Sequence, residues 1–270
     1  MPHVEHISKC AMSGTSSFDM FIDGPESNVS RFYSVFLIPR DAKGGYESIL
    51  KFKTRRLRYI TINFPTYSFV RDLYIGLQQD ATVGCGLKYR NTPPVVFYGS
   101  SITQGACASR PGNTYESIIS RRMNLDFINL GFGGNGKAEN AIVEYMAGLK
   151  MSAFVADYDH NAPNAQYLKE THLNMYEKIR SAHPDLPYIM ISRVDFDYDY
   201  EGSVARRRAI FDVYSSAKDK GDKNIYFIDG DGVFRGPYQD LCTIERVHPT
   251  DIGFALMADA IGRELERAYT

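Results

Sequence analysis

A serine that directly follows a short apolar run is the first residue that could do chemistry. Residues 95–98 read VVFY and residues 99–105 read GSSITQG. Small residues let a chain turn sharply from a strand into a helix, which exposes a hydroxyl and leaves backbone N–H groups unpaired at the helix start. Ser101 could therefore be a nucleophile whose own N–H receives the negative charge developing on a carbonyl oxygen. The alternative is a turn that only caps a helix.

A glycine-rich loop follows the next apolar run. Residues 129–136 read NLGFGGNG, and a glycine such as Gly134 lets a backbone N–H approach a reacting atom without an intervening side chain. A phosphate-binding loop is the alternative. The segment has neither the G-x-G-x-x-G context with a later acidic partner nor the Gly-Lys-Ser/Thr ending of a P-loop, so nucleotide binding is disfavoured.

Polar residues gather after a third apolar run. Residues 157–163 read DYDHNAP, and their Asp, His and Asn side chains could supply hydrogen-bond donors or metal ligands. One histidine beside two carboxylates is a poor ligand set for a metal ion, and we predict neither a metal nor a cofactor. A loop shaped by Asn, Asp and Pro is the alternative for this segment.

A histidine near the C-terminus stands just ahead of a predicted helix. Pro249 suits the first turn of that helix, which places His248 on the loop that enters it. Glu245 lies three residues earlier and could orient the imidazole and stabilise its charged form. A serine, a histidine and a carboxylate are the residue types of a serine hydrolase. A structural histidine is the alternative when this segment is considered alone.

The elements that must position these residues are predicted from the apolar pattern. Short apolar runs alternate with helical stretches in the second part of the chain, which predicts a parallel α/β sheet. Catalytic groups should then lie where the strands end. The predicted strands are residues 95–98, 127–130, 153–156, 188–192 and 225–228. The predicted helices are residues 114–123, 138–149, 165–182, 203–220 and 249–268.

The first part of the chain has a different periodicity. Runs rich in aromatic and β-branched residues are separated by Gly, Pro, Asp and Ser, which predicts a small antiparallel β-sandwich. The predicted strands are residues 18–22, 32–37, 49–52, 57–64 and 68–77. Pro93 and Pro94 mark a linker, since proline lacks a backbone donor and restricts its neighbour. We therefore predict an N-terminal domain over residues 1–92 and a catalytic domain over residues 93–270.

Composition limits the partners. The 270 residues carry a net charge of −1, so no strong field favours nucleic acid or an anionic membrane surface. No segment approaches the roughly 18 consecutive apolar residues of a membrane span. The first ten residues do not read as a secretory signal, and the four scattered cysteines indicate reduced thiols, so we expect a cytoplasmic protein. The sequence leaves the oligomeric state open, a homo-oligomer included.

Together the four polar segments resemble the SGNH (GDSL-like) hydrolase superfamily over residues 95–270. Their order and their position at strand ends carry the resemblance. Residues 98–105 (YGSSITQG) are most similar to a bacterial subgroup that has an N-terminal β-sandwich and is allied to carbohydrate esterases. The resemblance implies a three-layer α/β/α hydrolase domain with a parallel sheet, preceded by a small jelly-roll-like sandwich.

The resemblance also implies the roles of single residues. Ser101 takes the place of the nucleophile and His248 that of the general base, with Glu245 as the acid that orients the base. The N–H groups of Ser101 and Gly134 and the side-chain amide of Asn161 take the places of the oxyanion hole.

The sequence departs from the family pattern at three places. Ser100 stands where aspartate is common, and residues 159–162 read DHNA instead of Gly-x-Asn-Asp. Glu245 stands where aspartate is usual, so a backbone carbonyl is the alternative partner of the histidine ring.

The expected activity is what the resemblance implies: a serine esterase that removes acetyl groups from acetylated oligosaccharides. Arg110, Tyr115 and His160 are candidate substrate contacts, with solvated surface as the alternative for Arg110 and Tyr115. A lipid or thioester acyl hydrolase would use the same catalytic residues. A catalytically inactive carbohydrate-binding protein is the alternative from another class.

Overall fold

Aromatic and β-branched residues near the N-terminus form a three-stranded antiparallel sheet in the computed structural model, which describes residues 8–24, 30–91 and 93–270. A one-turn helix precedes the sheet. The elements are α1 (Met12–Thr15), β1 (Phe18–Asp23), β2 (Ser30–Phe36) and β3 (Tyr59–Asn63). The strand order is β2-β1-β3, and Met20 and Phe21 of the central strand are buried.

Two of the five strands predicted in this part are not formed. Residues 49–52 and 68–77 contain no strand, and Phe69 and Tyr74 are 74% and 88% exposed. Their apolar pattern suits a strand, but a strand also needs a neighbour that pairs with its backbone and covers one face. The described N-terminal residues therefore form one small sheet, where a two-layered sandwich was predicted.

Unbroken apolar runs in the second part of the chain form a five-stranded parallel sheet. Its strands are β4 (Val95–Gly99), β5 (Phe127–Gly131), β6 (Ala153–Asp157), β7 (Tyr188–Ile191) and β8 (Ile225–Ile228), in the order β5-β4-β6-β7-β8. Every residue of β4, β6 and β7 is buried, as expected of strands that are covered on both faces. All five predicted strands are confirmed to within one residue at each end.

Helices cover both faces of the parallel sheet. They are α2 (Ser101–Gln104), α3 (Tyr115–Met123), α4 (Asn140–Ala147), α5 (Ala165–Ala182), α6 (Tyr200–Asp219) and α7 (Asp251–Ala268). Side chains of a strand alternate between the two faces. Phe97 of β4 accordingly shares one core with Phe254 of α7, and Tyr98 shares the other with Leu168 of α5. The predicted three-layer α/β/α arrangement is the one observed.

The strand order creates a crevice at the carboxyl end of β4. The chain passes from β4 to β5 on one side and then to β6 on the other side, so the connections that leave these strands diverge. Ligands of open α/β sheets bind at such a switch point. Ser101 follows β4, the glycine-rich loop follows β5, and the turn Asp159–Asn161 follows β6. Three of the four polar segments are thereby brought to one place.

The N-terminal sheet is joined to the α/β part of the chain by a buried carboxylate. Asp19 of β1 accepts hydrogen bonds from the Asn63 side chain at 2.7 Å and from the Gly112 N–H at 2.8 Å, and its carboxylate lies 3.3 Å from the Arg110 guanidinium. Residue 92, where the predicted domain boundary falls, lies outside the described residues. Within the described residues, none of the helices combines the length and apolarity needed to cross a bilayer.

Candidate active site

Ser101 is the first residue of α2 and stands at the end of β4. Ser100 precedes it in an extended conformation and caps the helix, because its hydroxyl accepts the N–H of Ile102 at 3.1 Å. A Cβ at Gly99 would lie 1.9 Å from the Thr103 hydroxyl oxygen, so only glycine fits at the turn. The N–H of Ser101 has no partner inside the helix, and Ser101 lines a cavity at this end of the sheet.

His248 reaches the serine from the loop before α7. Its Nε2 lies 2.8 Å from the Ser101 Oγ. Its Nδ1 is hydrogen-bonded to Oε1 of Glu245, which fixes the tautomer with a proton on Nδ1 and leaves Nε2 to accept from the hydroxyl. A bridge between Thr243 and Pro249 closes the base of this loop. The predicted serine, histidine and carboxylate are therefore in contact, across 147 residues of sequence between the first two.

The environment keeps the imidazole neutral. Burial lowers the pKa of His248, Glu245 acts against burial and raises it, and the positive charges of Lys9 and His160 lower it further, so that the net shift is downward. A general base must be unprotonated to accept the proton of the serine. The neutral form of His248 is consequently retained at pH values somewhat below the ordinary histidine range.

The glycine-rich loop is held at two points against the turn at residues 99–105, which we call the nucleophile turn. The N–H of Gly133 donates to the Gln104 side chain at 2.8 Å. A Cβ at Gly136 would lie 2.3 Å from the Gly99 carbonyl oxygen, which explains why this close approach requires glycine. Gly134 lies between these contacts with φ of +73° and faces the same cavity as Ser101.

Asn161 is oriented by the same loop. Its Oδ1 accepts the N–H of Gly136 at 3.1 Å, so its Nδ2 group remains available as a donor. It lines the cavity together with Ser101 and Gly134. Two backbone N–H groups and one amide on three different loops thus form a candidate oxyanion hole.

Removal of this amide should slow the acyl-transfer chemistry. We expect Asn161→Ala to lower kcat for nitrophenyl acetate by about 10²- to 10³-fold with little change in KM, because the donor acts on charge that develops in the transition state. Steady-state kinetics test this, with Asn174→Ala on the surface of α5 as the matched control. A variant that retains the wild-type kcat would contradict the assignment of Asn161.

A charged cluster forms the far wall of the cavity. The His160 Nε2 lies 2.6 Å from Asp195, and Asp159 accepts the Arg193 N–H at 2.9 Å. Burial lowers the pKa of His160, but the two carboxylates outweigh burial and raise that pKa above its usual value. The imidazole of His160 therefore binds a proton more readily than an ordinary histidine and lies next to the site. Its predicted substrate contact stays a prediction, since it lines the cavity.

Two predicted substrate contacts are corrected by the structure. Tyr115 is fully buried, and its hydroxyl donates to Thr103 at 2.9 Å beneath the nucleophile turn. Arg110 pairs with Asp19 and places its guanidinium 3.8 Å from the ring centre of Phe32. Neither residue lines the cavity beside the serine. Proximity in sequence to the nucleophile misled the prediction, because the chain turns away from the crevice after α2.

The cavity contains residues that the sequence analysis did not single out. Its volume is about 490 Å³. Arg193 and Asp195 follow β7 at its carboxyl end, so the same strand-end rule that indicated Ser101 could have found them. Lys9, Tyr67 and Tyr198 are further polar and aromatic lining residues that were missed. Among the described residues, no group of three or more His, Cys, Asp or Glu side chains could hold a metal ion.

Comparison with known proteins identifies the family. The sequence profile of the GDSL-like lipase/acylhydrolase family matches residues 92–266. The chain belongs to this family. No curated protein matches. The family membership confirms the predicted resemblance and makes the chain a carboxylic ester hydrolase, while the roles of single residues stay predictions.

Solved structures with a similar fold match almost the whole length of this GDSL-like chain. A Bacteroides ovatus protein described as a GDSL-like lipase is 28% identical with a TM-score of 0.84, over 98% of this chain and 79% of that one. The salicylyl-acyltransferase SsfX3 of a tetracycline pathway is 17% identical with a TM-score of 0.69, over 99% and 76%. A family two carbohydrate esterase from Clostridium thermocellum is 14% identical with a TM-score of 0.66, over 95% and 87%. The last two likenesses concern the fold alone.

Proposed function

We propose that this GDSL-like hydrolase is a serine esterase that removes acetyl groups from acetylated oligosaccharides. The observation that carries the proposal is the 2.8 Å contact between the Ser101 Oγ and the His248 Nε2, at the mouth of a cavity that Gly134 and Asn161 also line. This contact supports a proposal in which Ser101 is the nucleophile, His248 the base, and Gly134 and Asn161 donors to the oxyanion of one ester carbonyl.

The proposed mechanism has two half-reactions. The Oγ of Ser101 attacks the ester carbonyl carbon while His248 takes the hydroxyl proton, and the tetrahedral oxyanion accepts hydrogen bonds from the Ser101 N–H, the Gly134 N–H and the Asn161 amide. His248 then gives the proton to the leaving alcohol, which leaves an acetyl group on Ser101. A water molecule, deprotonated by the same ring, releases acetate and restores the serine. Glu245 stabilises the imidazolium in both steps.

The charged groups in the cavity favour a sugar over a long acyl chain. Lys9, Arg193 and Asp195 line it and can bond to hydroxyl groups, whereas an alkyl chain would have to cover these charges without bonding to them. Tyr67 and Tyr198 also line the cavity, and Tyr198 is 52% exposed. An exposed aromatic ring of this kind offers an apolar face to the faces of sugar rings.

Neighbours of the same fold support a carbohydrate substrate. A two-domain esterase active on acetylated mannans matches with a TM-score of 0.51 and 20% identity. The family two carbohydrate esterase from Clostridium thermocellum is seen in complex with cellohexaose. Because these proteins share only the fold with this chain, the carbohydrate substrate is a proposal. Acetate release from acetylated oligosaccharides decides it.

Acetate release from a panel of acetylated oligosaccharides tests the proposal. We expect release from acetylated oligosaccharides, and we expect nitrophenyl esters to be cleaved with kcat/KM falling as the acyl chain lengthens from acetyl to octanoyl. A rise of kcat/KM with chain length would favour a lipid or thioester acyl hydrolase. Ser101 should also react with a fluorophosphonate probe, since only an activated serine does so. No labelling and no turnover would favour an inactive carbohydrate-binding protein.

A further inference from the structure

A lysine from the N-terminal part of the chain contacts both partners of the catalytic serine. The Lys9 Nζ lies 3.0 Å from the His248 Nδ1 and 3.1 Å from the Glu245 Oε1. More than 230 residues separate Lys9 from either partner in sequence, so the contact depends on how the N-terminal segment packs. Lys9 also lines the cavity that contains Ser101.

The backbone around Lys9 is fixed to the chain just after the nucleophile helix. The Cys107 thiol donates to the Lys9 carbonyl at 3.6 Å, and the Cys10 Sγ lies 3.4 Å from the Cys107 Sγ. A few residues later the Ser13 hydroxyl donates to the Ser109 carbonyl at 2.6 Å. Two successive attachments therefore hold the segment at residues 107–109 and direct the lysine side chain to the catalytic loop.

The chemistry of the three groups restricts how they can interact. A lysine ammonium can only donate hydrogen bonds. In the tautomer needed for catalysis, the His248 Nδ1 carries a proton that it donates to Glu245, so Lys9 cannot bond to that nitrogen. Lys9 instead donates to the same Glu245 oxygen that receives the imidazole and places a full positive charge 3.0 Å from the ring.

We propose that Lys9 is a positioning residue of this esterase, which holds Glu245 against His248 and keeps the imidazole neutral at lower pH. The inference rests on the proposed function of the same site. It concerns a contact from outside the hydrolase core, and it gives the N-terminal segment a part in the chemistry. Glutamate is longer than the aspartate usual at this position, and a donor from Lys9 restricts the extra freedom of its carboxylate.

The charges that face His248 come from three elements of the structure. Glu245, on the same loop, favours the imidazolium, whereas Lys9 on the N-terminal segment and His160 after β6 disfavour it. Arg193, which pairs with Asp159 at 3.5 Å, and Asp195, which pairs with His160 at 2.6 Å, line the same cavity. Without Lys9, one positive charge that disfavours the imidazolium is gone, while Glu245 still favours it. The pKa of His248 should therefore rise, and the acidic limb of the activity profile should move to higher pH.

The test compares Lys9→Met with Lys9→Arg in the full chain. Methionine keeps the length of the side chain without the charge, and arginine keeps the charge. The pKa of His248 is measured by NMR titration of histidine-labelled protein, with the signal assigned by its loss in His248→Gln. We expect Lys9→Met to raise that pKa by about 1 pH unit and Lys9→Arg to stay near the wild-type value. Lys178→Met, which removes a surface ion pair with Glu144, is the matched control and should change nothing.

A kinetic arm measures the same effect on turnover. In the pH profile of kcat/KM for nitrophenyl acetate, the fall on the acidic side should occur about 1 pH unit higher in Lys9→Met than in the wild type. An unchanged titration of His248 in Lys9→Met overturns the inference even if the enzyme is active. Wild-type protein that turns over no ester while the titration still moves overturns the proposed function and leaves the electrostatic role of Lys9 supported.

Discussion

Ser101→Ala is expected to lower kcat/KM for nitrophenyl acetate by about 10⁴- to 10⁶-fold. The substitution removes the oxygen that attacks the carbonyl and leaves His248 without a proton to take, so no acetyl-enzyme can form. The N–H of residue 101, Gly134 and Asn161 remain, and they account for the small residual rate that binding and oxyanion stabilisation give without a nucleophile. Steady-state kinetics and intact-mass detection of the fluorophosphonate adduct measure the two losses separately.

The fold of the Ser101→Ala variant should be intact. The caps and close contacts of the turn come from Ser100 and Gly99, and neither depends on the Ser101 hydroxyl. Circular dichroism and the urea midpoint should therefore match the wild type. Ser181→Ala on the exposed side of α5 is the control for handling and purity. Turnover within tenfold of the wild type would exclude Ser101 as the nucleophile.

The hydrolase half could be predicted in detail because its strands are buried on both faces. In β4, β6 and β7 every position is buried, and all except Asp157 are apolar, aromatic or glycine, so local composition alone marks the strands. Parallel strands bring those ends to one edge of the sheet. The positions of Ser101, Gly134 and Asn161 around one cavity follow from that rule, although no distance between them could be predicted.

The N-terminal half shows where hydrophobic alternation fails to predict a strand. An alternating run such as residues 68–77 states which side chains would share a face, but it does not state whether another strand is present to pair with it. In β1 the pattern and the partners coincide, because β2 and β3 flank it on both sides. In residues 68–77 they do not, and Ile75 is 63% exposed.

Two errors of site prediction have a common physical origin. Tyr115 and Arg110 lie within fifteen residues of the nucleophile, yet the first turns into the core and the second into the N-terminal sheet. The direction of a side chain after a turn depends on backbone angles that sequence patterns do not carry. Lys9 shows the converse, since it is distant in sequence and no local motif surrounds it.

We expect the wild-type protein to lose stability as pH rises, because the buried Asp157 ionises. Asp157→Asn should remove most of this loss. Asp157 ends β6 beneath the nucleophile turn and is buried, and its carboxyl group accepts a hydrogen bond from the Thr103 hydroxyl at 3.3 Å. Burial raises the pKa of its carboxyl from 3.8 to about 7, with the charge of Asp159 adding to the rise and His160 opposing it. Asparagine keeps the size and an acceptor for Thr103 but cannot ionise.

The sign follows from proton binding. In the unfolded chain Asp157 loses its proton near pH 3.8, whereas in the folded protein it keeps the proton up to about pH 7. Between these values the folded state binds more protons, so the contribution of Asp157 to stability is complete below pH 3.8 and is lost as pH rises through 7. The difference in pKa corresponds to a loss of up to about 4 kcal/mol. Glu116, also buried with a raised pKa, contributes in the same direction in both proteins.

Urea unfolding at pH 4 and at pH 8 measures this effect as a difference between two proteins. The free energy of unfolding of Asp157→Asn relative to the wild type should increase between the two pH values by about 2 to 4 kcal/mol, because titrations common to both proteins cancel. Asp240→Asn on an exposed turn is the matched control and should follow the wild type. If Asp157→Asn and the wild type change in parallel from pH 4 to pH 8, the folded protein ionises Asp157 without cost, and the nucleophile turn rests on a carboxylate rather than on a neutral carboxyl group.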